Sequence, residues 1–195
     1  MASVNLLNVE ILNGETLPFS STFRFQITFE CVAEVSDDLV RSALRTQTHT
    51  HTLSSAPLRP LAVTPDARLP TRPPAAPQDW RVVYVGSAKA KAFDQVLDSV
   101  LVGPVRLGVS RFELEVPGPK YSEIPPDDLL GATAVMLSCF YKDKEFVRVG
   151  YWVSNTYSRP LAEGEEPPRA PPQEDISRSV LKEKPCVTRW PIEWA

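Results

Sequence analysis

Phe23-Arg24-Phe25-Gln26-Ile27-Thr28-Phe29-Glu30-Cys31 alternates apolar and polar side chains without a break. A period of two places Phe23, Phe25, Ile27, Phe29 and Cys31 on one face of a half-buried β-strand and the polar set on the other. Further strands are expected at Val4–Leu12, Arg81–Val85, Gln95–Leu101, Gly108–Val116, Ala132–Tyr141, Phe146–Val153 and Val187–Glu193, with Gly, Pro, Asp and Asn clustered between them. Short strands divided by turns, with almost no helical periodicity, predict an all-β antiparallel sandwich. Short helical turns are expected in the connections at Pro125–Leu130, opened by prolines and stopped by Gly131, and at Asp175–Glu183.

A chain of 195 residues with 43% hydrophobic content can bury one good core, so a single domain over 1–195 is expected. Its net charge of −3 is unevenly spread. The segment Val40–Gln78 has five Arg against one Asp, and the other 156 residues carry 16 basic against 23 acidic side chains, a balance of −7. An acidic folded part disfavours direct nucleic-acid binding, which needs basic surface to displace counterions, and favours a basic protein partner. No apolar run approaches the ~20 residues that span a membrane, and Met1-Ala-Ser-Val-Asn-Leu-Leu7 lacks the layout of a secretory signal, so an intracellular chain without membrane contact is expected.

Cys31, Cys139 and Cys186 lack metal-ligand spacing, the only histidines are His49 and His51, and neither a metal nor another cofactor is expected. Enzymatic chemistry needs a nucleophile beside a base, a paired acid and base, or a cofactor cradle, and none is visible. Asp94, Asp98 and Asp127-Asp128 read as surface carboxylates, and Gly86-Ser87 and Gly103-Pro104 as turns. Arg148 is the exception in an apolar strand: the alternation puts it on one face with Phe146, Gly150 and Trp152, where a guanidinium beside aromatic surface can anchor a partner.

Two stretches interrupt the strand pattern. Tyr157–Lys184 is polar and broken by five prolines, and is expected to cross the surface and deliver the last strand to a sheet edge whose free backbone groups a partner strand can complete. Val40–Gln78 has no Phe, Tyr, Trp or Glu, seven prolines and the repeat Thr46-Gln-Thr-His-Thr-His-Thr52. It cannot bury enough apolar surface to offset its ordering entropy, and disorder is expected.

Three strings, Tyr84-Val-Gly-Ser87, Phe93-Asp-Gln-Val-Leu-Asp-Ser-Val-Leu-Val-Gly-Pro104 and Glu145-Phe-Val-Arg-Val-Gly-Tyr151, closely resemble the anti-silencing-function histone chaperones, immunoglobulin-like proteins that hold a histone H3/H4 dimer. The resemblance extends to Phe25-Gln-Ile-Thr-Phe-Glu-Cys31, Ser36-Asp-Asp-Leu39 and Val187-Thr-Arg-Trp-Pro-Ile-Glu-Trp194, and leaves 40–78 unmatched. It implies a nuclear, monomeric, non-enzymatic, ATP-independent chaperone with an immunoglobulin-like fold. Such a protein covers the H3 surface through which two dimers meet and passes the dimer to replication-coupled and replication-independent deposition factors.

The same resemblance implies that Val85, Asp94, Asp128, Thr133, Ala134, Met136, Arg148 and Trp152 grip the C-terminal helix of H3, and that Val187, Thr188, Arg189, Trp190 and Ile192 pair with the H4 tail. Asp37, Asp38, Asp98, Val100, Val102 and Phe112 would receive a basic peptide of the deposition factors. Three residues depart from the family pattern: Ala134 replaces a valine, Lys89 an acid and Cys186 a basic residue. The competing expectation is a disulfide-bonded adhesion or receptor module, from the Cys31, Trp80, Cys139 layout of extracellular immunoglobulin domains; the absence of an Asn-X-Ser/Thr acceptor and the odd cysteine oppose it.

Removing 40–78 restores the contiguous family pattern by joining Leu39 to Asp79-Trp80. Valine codons begin with GT, one glutamine codon is CAG, and the segment is in frame, so a translated unspliced intron is the preferred reading over a regulatory insertion. Sequencing of spliced transcripts across the junction is expected to recover messages that lack the 39 codons from Val40 to Gln78; uniform retention would leave the regulatory insertion.

Overall fold

The computed structural model describes residues 4–33, 78–103, 105 and 107–194. Among the described residues ten strands follow in chain order: β1 (Val4–Ile11), β2 (Leu17–Pro18), β3 (Phe23–Cys31), β4 (Gln78–Tyr84), β5 (Gln95–Val102), β6 (Gly108–Val116), β7 (Gly131–Tyr141), β8 (Lys144–Tyr157), β9 (Ile176–Val180) and β10 (Cys186–Arg189). β3 spans the whole alternating run, and all five of its apolar side chains are buried.

The strands form an antiparallel sandwich. One sheet has the order β1-β3-β6; the other has the order β2-β9-β8-β7-β4-β5, with β10 added to β8. The inner faces meet through aromatic pairs that cross between the sheets: Phe29 with Trp80 at 6.3 Å, Phe23 with Tyr84 at 6.4 Å and Phe25 with Tyr151 at 6.4 Å between ring centroids. Burying each such ring is worth roughly 2–3 kcal/mol by apolar area, so this layer contributes strongly to cohesion between the sheets.

β7 and β8 form the longest hairpin, closed by Lys142 and Asp143, both in the left-handed region at φ 47° and 62°. Two successive left-handed residues match the twist of the flanking strands and hold the register. That register carries one irregularity: Cys139 pairs with Val147 and Phe140 with Glu145, so Phe146 is an extra residue. The bulge turns Phe146 inward, 5% exposed and edge-on to Trp194 at 4.9 Å. Phe146 therefore does not share the outer face with Arg148, as simple alternation expects.

Other expectations are also corrected. Asp175–Glu183 is not helical: a single 3-10 turn at Gln173–Asp175 leads straight into β9. There Ile176, Arg178 and Val180 point inward between Ser177 and Ser179, so an arginine occupies the centre of the apolar face and disguises the alternation. Arg178 is 1% exposed; it donates from Nη1 to Phe19 O (2.9 Å) and from Nη2 to Ser21 O (2.6 Å) and Thr22 O (3.3 Å), with its guanidinium 3.7 Å from the Phe23 ring centroid. Burial pulls its pKa down to about 10. The excursion Tyr157–Lys184 is thus partly structural, because β9 bonds β8.

Gln78, which the sequence reading placed at the end of the insertion, is the first residue of β4 and is 1% exposed. The rest of that segment lies outside the described residues. The last strand ends at Arg189, after which Trp194 stacks on Tyr141 at 5.3 Å.

The cysteines are free and make no bridge: Cys31 Sγ donates to Ala33 O, Cys139 Sγ donates to Gln78 Oε1, and Cys186 is exposed. Burial raises the pKa of both Cys31 and Cys139. Titration of unreduced protein is expected to count three thiols after denaturation, with Cys186 alone reacting promptly beforehand. Arg178→Ala strands buried carbonyls and removes the stacked guanidinium, and is expected to lower the unfolding free energy by about 3 kcal/mol in urea titrations.

Candidate functional site

The outer face of the larger sheet gathers most of the residues singled out from the sequence. Across β7 and β8, Ala134 pairs with Trp152, Met136 with Gly150 and Ser138 with Arg148; β10 continues two of these rows with Cys186 beside Gly150 and Thr188 beside Arg148. Side chains two apart on a strand share a face, so these rows form a patch with an apolar centre and a polar lower margin. Between them lies a cavity of about 180 Å³, lined by Ala134, Met136, Gly150, Trp152, Arg148, Cys186 and Thr188, with Trp152 standing 57% exposed as its wall.

Val85, immediately after β4, is tied to this patch by its N–H to Ala134 O (2.9 Å) and by Thr133 Oγ1, which donates to Val85 O. The β4–β5 ladder pairs Tyr84 with Gln95, which brings Asp94 alongside Val85. Asp94 Oδ1 is buried with no hydrogen bond, and burial raises its pKa against the opposing charge of Lys91. A carboxylate left so poorly compensated gains from any cation brought to it. Asp128 closes the 3-10 turn Pro126–Asp128 and lies 3.6 Å from Lys89.

Arg148 is held before any partner arrives. Its guanidinium forks onto Glu145, Nε to Oε1 at 2.7 Å and Nη2 to Oε2 at 2.6 Å, donates to Ser138 Oγ at 3.3 Å, and lies 5.2 Å from the Trp190 ring centroid. Glu145 belongs to the candidate site, and the sequence alone does not point to it. A spacing of three belongs to one face of a helix, not of a strand, and only the bulge at Phe146 puts Glu145 and Arg148 on the same side. Burial pushes the Glu145 carboxyl up, but hydrogen bonds from Arg148 and Ser138 together with the Arg148 charge outweigh it and leave the pKa below the ordinary 4.5. A depressed folded value means that the fork stabilises the fold above that ordinary value and is lost as pH falls through the folded one.

β10 is bonded to β8 along one edge, from Cys186↔Gly150 to Arg189↔Val147, and its other edge pairs with no strand among the described residues. Val187 and Arg189 face away from the cavity toward β1, where Leu6, Leu7 and Val9 complete a second groove of about 100 Å³ and Arg189 Nη2 reaches Leu6 O at 3.4 Å. Trp190 and Ile192 lie beyond the strand, lining a cleft of about 290 Å³ with Val4, Leu6, Phe146 and Trp194.

The third group lies elsewhere. Asp98, Val100 and Val102 sit on β5 opposite Val82, Trp80 and Gln78, and Phe112 of β6 packs its ring 5.6 Å from Trp80. The outer strands of the two sheets thus bring Val100 and Phe112 together over one buried indole. Asp37 and Asp38 lie outside the described residues. Among the described residues no three His, Cys, Asp or Glu side chains converge as a metal site, and no helix is long and apolar enough to cross a membrane.

Residues 75–195 match the profile of the family described as ASF1 like histone chaperone. The whole chain aligns with Histone chaperone ASF1 of Mycosarcoma maydis, 39% identical over 198 residues and covering 88% of that protein. It aligns equally completely with Histone chaperone ASF1B of Homo sapiens, 37% identical over 194 residues and 76% of the relative, and with Histone chaperone asf1 of Dictyostelium discoideum, 37% over 194 residues and 99% of the relative.

Proposed function

The chain belongs to the ASF1 like histone chaperone family, and on that premise we propose that it binds a histone H3/H4 dimer through the outer face of its larger sheet and passes it to deposition factors in the nucleus. The observation that carries this reading is that one cavity is lined both by residues assigned to H3, namely Ala134, Met136, Arg148 and Trp152, and by Cys186 and Thr188 of the strand assigned to H4. A single partner that offers a helix and an extended tail side by side can fill both.

The chemistry of each part fits its proposed occupant. An amphipathic helix lays apolar side chains into the centre of the patch, while Asp94 takes a cation and Arg148 an acid at its margins. The open edge of β10 offers backbone donors and acceptors to an extended segment. Lys89 competes with the partner for Asp128 and reduces its contribution. The flank around Val100, Val102 and Phe112 is separate from this cavity, so a deposition factor can dock while the dimer is still held. Capture and release then follow relative affinities, with no covalent step and no nucleotide.

Calorimetric titration of H3/H4 into the 195-residue chain is expected to give a complex with one dimer, and a folded chain that gives no complex would overturn the reading. Asp94→Arg and Arg148→Glu are each expected to lose about 2 kcal/mol or more of binding, roughly 30-fold, with the thermal midpoint of Asp94→Arg close to the parent. Unchanged affinity in both variants would remove the histones from this face.

A further inference from the structure

Gly150 sits in the interior of a fourteen-residue strand, bonded on both sides, where glycine weakens a sheet. The fold gives no reason for it. Its φ is not in the left-handed region, and a Cβ built there meets nothing nearer than Cys186 O at 3.9 Å, an ordinary van der Waals distance. Gly86 and Gly118 contrast with it: a Cβ on either would fall within 2.6 Å of a backbone oxygen.

What a side chain at Gly150 would occupy is the floor of the cavity between Met136 and Cys186. Its neighbours Val149 and Tyr151 point into the core, and Trp152 rises beside the opening. Resting on the proposed H3 reading of this face, we infer that Gly150 determines how closely the partner helix approaches: an apolar side chain of that helix rests directly on the bared backbone of β8, walled by Met136 and Trp152. Gly150 is a specificity position, kept small for the partner at a cost to the strand.

The test separates fold from binding. Gly150→Ala and Gly150→Val are compared with the parent and with Thr156→Val, an exposed substitution on the same strand beyond the cavity, by thermal melting and by titration with H3/H4. The expected result is melting points equal to or above the parent for both glycine variants. Affinity is expected to fall about threefold for alanine and at least tenfold for valine, with Thr156→Val unchanged. A Gly150→Val chain that binds like the parent, or a Gly150→Ala chain that melts several degrees lower, overturns the inference while leaving the histone reading intact. A folded parent that does not bind H3/H4 overturns both.

Discussion

The cavity on the outer face of the larger sheet depends on β8. One of its edges bonds β7 from Lys144 to Asn155, interrupted only by the bulge at Phe146, and the other is shared, Val147–Gly150 going to β10 and Val153–Tyr157 to β9. A strand with both edges satisfied is the most rigid support a sheet provides, because each backbone donor and acceptor it buries is accounted for. The cavity, the Arg148 fork and the open strand are all mounted on this element. The bulge at Phe146 serves both faces at once, anchoring Trp194 inside and aligning Glu145 with Arg148 outside.

That alignment shapes the electrostatics of the candidate site. An exposed arginine ordinarily loses much of its side-chain freedom when it meets a partner. Here the Glu145 fork, Ser138 and Trp190 have already taken that freedom, so the guanidinium meets a partner in a fixed place with donors left over. Asp94 is prepared in the opposite way, by withholding a hydrogen bond from Oδ1. One charge is preorganised and the other undercompensated, and both devices would favour the partner proposed for this face.

Much of the architecture was legible in the sequence. β3 and β6 have the bounds their alternation gives, and β1, β5 and β7 differ from expectation by a single residue at one end. Where the pattern was not legible, the causes were local and differed from element to element. Arg178 made β9 look polar, although its charge faces three carbonyls rather than water. β2 has only Leu17 and Pro18, too few for any period. The candidate site was legible through family resemblance more than through pattern, since nothing local in Val85 or Met136 announces a binding role. Glu145 and Gly150 needed the register: one is aligned by a bulge, and the other matters for the space above it.

The two ends of the chain hold each other. Tyr151 Oη donates to Val9 O, Arg178 closes the turn at Phe19–Thr22, and Arg189 reaches Leu6, across separations of 142 to 183 residues. Such long-range closure is slow, because loop entropy must be overcome before the contacts that offset it can form. On the ribosome, β1 and β3 would emerge with their apolar faces bare, and the cover that Tyr151 gives Phe25 would arrive only once β8 had left the exit tunnel. Part of the apolar face therefore waits for its cover through much of synthesis, the condition in which a chain is prone to aggregate.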